Sequence, residues 1–212
     1  MSRTRDPDRL VLFTDAVVAI AITLLVLPLV DLVPEVKAHG GDAVSVITEH
    51  RQEIFTFLLS FVVIANFWMG HHRIFEHVRV YTSGIIRLNL LWVLAIVVLP
   101  FTTEIIGEFD SDRFVAGVYI GTILVLSICQ SGLAVMVRGH KELESPDNPV
   151  SDRELVGSLV LTGFTLLAFL LGSLVPGVNF YAMLLLLLPS AVMRVWRVKH
   201  PETPRSRTGV QS

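Results

Sequence analysis

Six long apolar stretches separated by polar intervals run along the 212-residue chain. They cover about Leu10 to Leu32, Ile54 to Met69, the run after Arg87 that ends near Pro100 and Phe101, Phe114 to Val137, Leu155 to Val175, and Phe180 to Val198. A bilayer core takes about 20 mainly apolar residues in helical form to cross, because unpaired backbone groups cannot be left in hydrocarbon. The pattern therefore predicts an all-α, polytopic membrane protein of six transmembrane helices. Pro28 and Pro34 bend or end the first helix, and the second continues into the polar stretch His71 to His77. The short Pro176-Gly177-Val178-Asn179 turn makes segments five and six antiparallel neighbours. Residues 1–200 are expected to form a single six-helix domain, and the polar tail 201–212 is expected to be disordered. The first apolar run is too long for a secretory h-region and contains Asp15, so it is expected to remain as a span.

Composition sharpens this picture. The chain is 52% hydrophobic and 17% charged, against about 25% charged in ordinary soluble domains, and one small soluble core cannot hide that much apolar surface. The formal net charge of -2 gives no sign of a nucleic-acid partner. Basic residues collect on the cytoplasmic side of membrane proteins. With both termini inside, all of the 17 Lys and Arg residues except Lys37, Arg51 and Arg113 fall on the cytoplasmic face. Nine acidic residues, among them Asp31, Glu35, Asp42 and Glu53, then fall outside and make that surface electronegative. The lone Cys129 allows no intramolecular disulfide and reads as a small buried hydrophobe.

One charged residue stands inside the first span. Asp15 lies where an ionisable side chain costs at least a few kcal/mol unless partnered. On a helix turning about 100° per residue, Ile20, Leu24 and Leu27 form one apolar stripe with Thr23 at its edge, and Asp15 points away from it. Asp15 is thus expected to face other helices of its own subunit, where Asn66, Trp68, His71 and His72 of the second segment offer donors. His71 and His72 point about 100° apart and cannot easily share an ion, so no metal site is expected. Taken by spacing alone, Ile20, Leu24 and Leu27 are also compatible with lipid-facing or bundle packing.

The run Arg9-Leu10-Val11-Leu12-Phe13-Thr14-Asp15 reads as Arg-x-x-x-Phe-Ser/Thr-Asp and opens directly into Ala19 to Leu27. Asn66-Phe67-Trp68-Met69-Gly70-His71-His72-Arg73 closes the second segment, and Asn89 with Leu99-Pro100-Phe101 marks the third. In these motifs the chain resembles the endolysosomal potassium channel family and its prokaryotic homologues, which lack a Gly-Tyr-Gly filter. The resemblance implies one six-helix unit per chain, assembly as a homotetramer, and a first helix lining a central pore in the cytoplasmic membrane of a prokaryote. It maps the apolar constriction onto Ile20, Leu24 and Leu27 and the adjacent hydroxyl onto Thr23. It assigns Arg9, Phe13, Thr14 and Asp15, with Asn66, Trp68, His71, His72 and Asn89, to a network that holds the helices together. Thr14 replaces the family's usual Ser and keeps the hydroxyl.

The expected function is then a potassium-permeable, weakly to moderately selective channel for monovalent cations. Its only associated groups would be permeant potassium ions and the lipid bilayer, with no cofactor. A proton leak or proton-coupled transporter using Asp15 and His71 is the alternative, since intramembrane ionisable groups often mark relays. No enzyme is expected: no His-Glu-x-x-His motif occurs, and neither Ser60 nor Thr23 has an obvious base on its own helix.

Overall fold

The computed structural model describes residues 7–109 and 112–174. The sixth apolar segment, its connecting turn and the tail lie outside the described residues. Within them the chain forms α1 (Pro7–Leu24), α2 (Leu27–Ala38), α3 (Ala43–Glu49), α4 (Arg51–Glu76), α5 (Ser83–Glu108), α6 (Arg113–Gly139) and α7 (Asp152–Leu174). Five stretches are long and apolar enough to cross a membrane, namely α1 with α2, then α4, α5, α6 and α7. The chain is a multi-pass helical membrane protein, and no strand longer than a single bridge occurs among the described residues.

The first span is interrupted at Leu25 and Val26, between α1 and α2. Pro28 explains the position: it has no N–H to offer the Leu24 carbonyl, and its ring crowds that carbonyl. The chain bridges the gap with a tighter bond from Val26 N–H to Thr23 O at 3.4 Å. Pro34 stays inside α2. Beyond α2 the backbone turns at Gly40, whose φ of 79° is the left-handed region that glycine occupies without strain. The short α3, not anticipated from the sequence, starts on Asp42, whose Oδ1 accepts from Val44 N–H (3.0 Å) and Ser45 N–H (2.9 Å). Those bonds, the one from Ser45 foremost, hold the Asp42 carboxyl below its usual range.

The third apolar segment does not end at Pro100. Helix α5 runs through it to Glu108, because the turns beyond the proline still have a core to fill: Thr102, Thr103 and Ile106 are buried there. The Thr103 hydroxyl reaches the Leu99 carbonyl (2.7 Å) and Ser60 Oγ (2.8 Å), and Ser60 meets the Tyr119 hydroxyl at 2.9 Å. These polar contacts tie α4, α5 and α6 together in a region where apolar attraction between helices is weak.

Helices α5 and α6 are the centre of the bundle. Trp92, Ile96 and Leu99 of α5 and Tyr119, Ile120 and Leu126 of α6 are fully buried, packed with Ile64 and Phe67 of α4 and with Val18, Ala21 and Leu25 of α1. Helix α7 docks on α6 through small and hydroxylated residues: Thr162 Oγ1 lies 2.8 Å from Ser131 Oγ and donates to Ser127 O at 2.9 Å. At the end where α1 begins, the α4–α5 and α6–α7 connections pair through an antiparallel bridge between Val78 and Glu144.

Candidate pore helix and its anchoring network

Helix α1 has two distinct sides. Val18, Ala21 and Leu25 are 3%, 1% and 3% exposed and face the bundle, whereas Ile20, Leu24 and Leu27 are 59%, 42% and 51% exposed. Nothing in the described chain covers the second set. Thr23 is exposed beside them and donates its hydroxyl back to Ile20 O at 2.7 Å.

The bundle side of α1 is held by two separate polar contacts. In the first, Trp68 Nε1 of α4 donates to Asp15 Oδ1 at 2.8 Å. In the second, the Thr14 hydroxyl donates to Leu10 O (2.9 Å), Asn89 Nδ2 of α5 donates to Thr14 Oγ1 (2.9 Å), and His71 Nε2 of α4 donates to Asn89 Oδ1 (2.6 Å). The directions are forced. The Thr14 proton is committed to a carbonyl, so Asn89 must present its amide N–H to Thr14 and its oxygen to His71. His71 must therefore carry a proton on Nε2. Thr14, Asn89 and His71 are all 0% exposed, so each bond replaces a solvent partner that hydrocarbon cannot supply. The imidazole is sandwiched between the rings of Phe75, 4.4 Å away, and Trp92, 4.3 Å away.

The remaining candidates sit elsewhere. Asn66 departs from the expected network: it is exposed, and its Nδ2 turns back to Val62 O of its own helix at 2.8 Å. The reason is its register, two residues before Trp68, which puts it on the outer side of α4. His72 lies beside the Trp68 ring at 5.7 Å and near Glu76 Oε1 at 3.8 Å, both on its own helix. Arg9 and Phe13 are exposed. Among the described residues no three His, Cys, Asp or Glu side chains group as metal ligands.

Sequence reading overlooked Trp92 and Gln130. Trp92 was detectable in principle, since it follows Asn89 by three positions and shares its face. Gln130 of α6 packs its amide on the α4 backbone at Gly70, where a Cβ would lie 2.1 Å from Nε2. That contact between distant segments has no local sequence signal.

Taken together, the geometry defines a class: a helical, multi-pass membrane protein whose first helix is pinned on one side by buried polar contacts and bare and aliphatic on the other. The chain is similar to the family described as endosomal/lysosomal potassium channel TMEM175, whose sequence model matches residues 9–100, the region that holds α1, α4 and most of α5. A protein named as a potassium channel from Chamaesiphon minutus is 35% identical over 127 residues, covering 58% of this chain and 62% of that protein. Another from Streptomyces collinus is 30% identical over 123 residues, covering 57% and 58%. An endosomal/lysosomal proton channel TMEM175 from Gallus gallus is 24% identical over 157 residues, covering 72% of this chain and 30% of that one. The chain thus spans about 60% of the length of the two bacterial relatives. The crystal structure of a TMEM175 homologue from Chamaesiphon minutus, described as a lysosomal potassium-selective channel, superposes with a TM-score of 0.73 at 26% identity. It covers 88% of this chain and 97% of that one.

Proposed function

We propose that the chain forms a homotetrameric, potassium-permeable cation channel in which four copies of α1 surround the conduction path. The observation that carries this reading is the bare stripe of Ile20, Leu24 and Leu27 on a helix whose other side is fixed by buried polar contacts. A helix that had only to face lipid would need no such anchoring against rotation. Relatives named as potassium channels support the choice of ion. Both termini lie in the cytoplasm of a prokaryotic cell in this reading, following the arginine distribution.

The aliphatic ring offers no strong coordination, so it gates by dewetting and favours the cation that sheds water more cheaply. Potassium releases its hydration shell more readily than sodium, and a modest potassium preference follows. Thr23 contributes a hydroxyl beside the constriction, and no cofactor or catalytic step is required. Proton passage is the second reading, favoured by the relatives named as proton channels. Asp15 and His71 do not serve it as a pair, because each is bonded to a different partner.

Liposome flux under valinomycin control, comparing potassium, sodium and protons, tests both readings. Potassium flux that exceeds sodium flux in the wild type, with the preference weakened in Ile20→Asn, is the expected result. Bi-ionic reversal potentials unchanged in Ile20→Asn count against Ile20 as part of the constriction, and proton flux with no potassium flux favours the second reading.

A further inference from the structure

His77 follows the last residue of α4 and is not part of the network around α1. Its side chain is 6% exposed. Nδ1 lies 2.8 Å from the Asn148 carbonyl in the α6–α7 connection, and Nε2 lies 3.1 Å from Glu154 Oε1 in the first turn of α7. A carbonyl only accepts, so the ring must donate from Nδ1. Its Nε2 then faces a second acceptor, and that contact is attractive only if a proton lies between the two atoms.

The surroundings say where the proton sits. Glu154 Oε2 accepts from both Ser151 N–H (3.0 Å) and Ser151 Oγ (2.7 Å), bonds that favour the ionised carboxylate. The other charged groups nearby are engaged otherwise. Glu144 Oε1 accepts from Val150 N–H at 2.8 Å, Arg138 of α6 pairs with Asp152, and Glu76 lies near His72. Arg79 and Asp147 are exposed. With Glu154 favoured in its ionised form, the proton that makes both ring contacts attractive is one carried on the imidazole Nε2.

We propose that His77 is a proton-dependent latch: the proton between His77 and Glu154 fixes the α6–α7 connection, residues 140–151, to the end of α4. The connection also hangs on backbone bonds that need this register, Ser145 N–H to His77 O and Arg79 N–H to Leu143 O, both 2.8 Å. Loss of the proton turns the Nε2 contact into two facing acceptors and loosens these bonds. The latch ties α7 to the helix that carries Trp68 and His71, and it holds whatever ion the protein conducts.

Hydrogen exchange on the full chain in liposomes tests it. The readout is protection of the Arg79 and Ser145 amides, corrected for intrinsic exchange, between about pH 5 and about pH 9, a span that brackets ordinary imidazole titration. Wild-type protection is expected to fall at least about fivefold as pH rises, the loss of one charge-assisted hydrogen bond. In Glu154→Gln the amide N–H donates to the deprotonated imidazole, so protection stays level with pH. In His77→Gln nothing titrates at the latch, so protection is lower and also level, and this variant decides the matter if Glu154→Gln does not fold. A level wild-type profile, or a wild-type slope retained in either folded variant, overturns the proposal.

Discussion

Asn89 joins α5 to both α1 and α4 with one amide, and its neighbours show what its loss costs. Asn89→Leu leaves the His71 Nε2–H buried without an acceptor and removes the donor to Thr14, a loss of about 1–3 kcal/mol. Trp68→Phe removes a single bond to a partly exposed carboxylate and is expected to cost about 1 kcal/mol. Asn66→Ala, on an exposed side chain bonded within its own helix, stays within about 0.5 kcal/mol. Unfolding midpoints of the three variants in one detergent should rank in that order, and an Asn66 variant as unstable as the Asn89 one would contradict the assignment. The Asp15–Trp68 pairing was legible in the sequence, because a lone carboxylate in an apolar run requires a donor at its depth. Which of the four offered donors it takes depends on the rotation of α4 about its axis, and that is fixed by packing on α5 and α6.

Among the elements, the joint between α1 and α2 has a sequence cause that can be removed. Pro28→Ala restores an N–H four residues after Leu24 and should let one helix run from Pro7 to Ala38. The amide of residue 28 in that variant is expected to become protected from exchange, and an unprotected amide would place the cause of the break elsewhere. Proline was a good guide there and a poor one at Pro100, where tertiary packing carries α5 on to Glu108. The difference is burial. Val30 and Val33 beyond Pro28 are exposed, whereas Thr102, Thr103 and Ile106 beyond Pro100 are buried. Hydropathy located the five spans among the described residues, though not all their ends, but it could not reveal α3, a seven-residue helix made by one Asp–Ser capping box. Nor could it reveal the His77–Glu154 contact, whose partners are 77 residues apart.

For the whole molecule, the proposed four-copy arrangement makes a direct cross-linking prediction. In a Cys129→Ala background, Ile20→Cys should form inter-subunit disulfides under mild oxidation, while Val18→Cys, which faces its own bundle, should not. Monomer alone for both would remove α1 from the axis. The interior route beside that axis is closed to charge for a chemical reason. From His71 through Asn89 and Thr14 every hydrogen bond points the same way and ends on the Leu10 carbonyl, which can take no proton onward. A carboxamide in the middle cannot hand a proton across without becoming an imidic acid. The row of polar groups that steadies the first helix is therefore no proton wire, and in the proposed four-copy arrangement the current travels through water on the helix's other side.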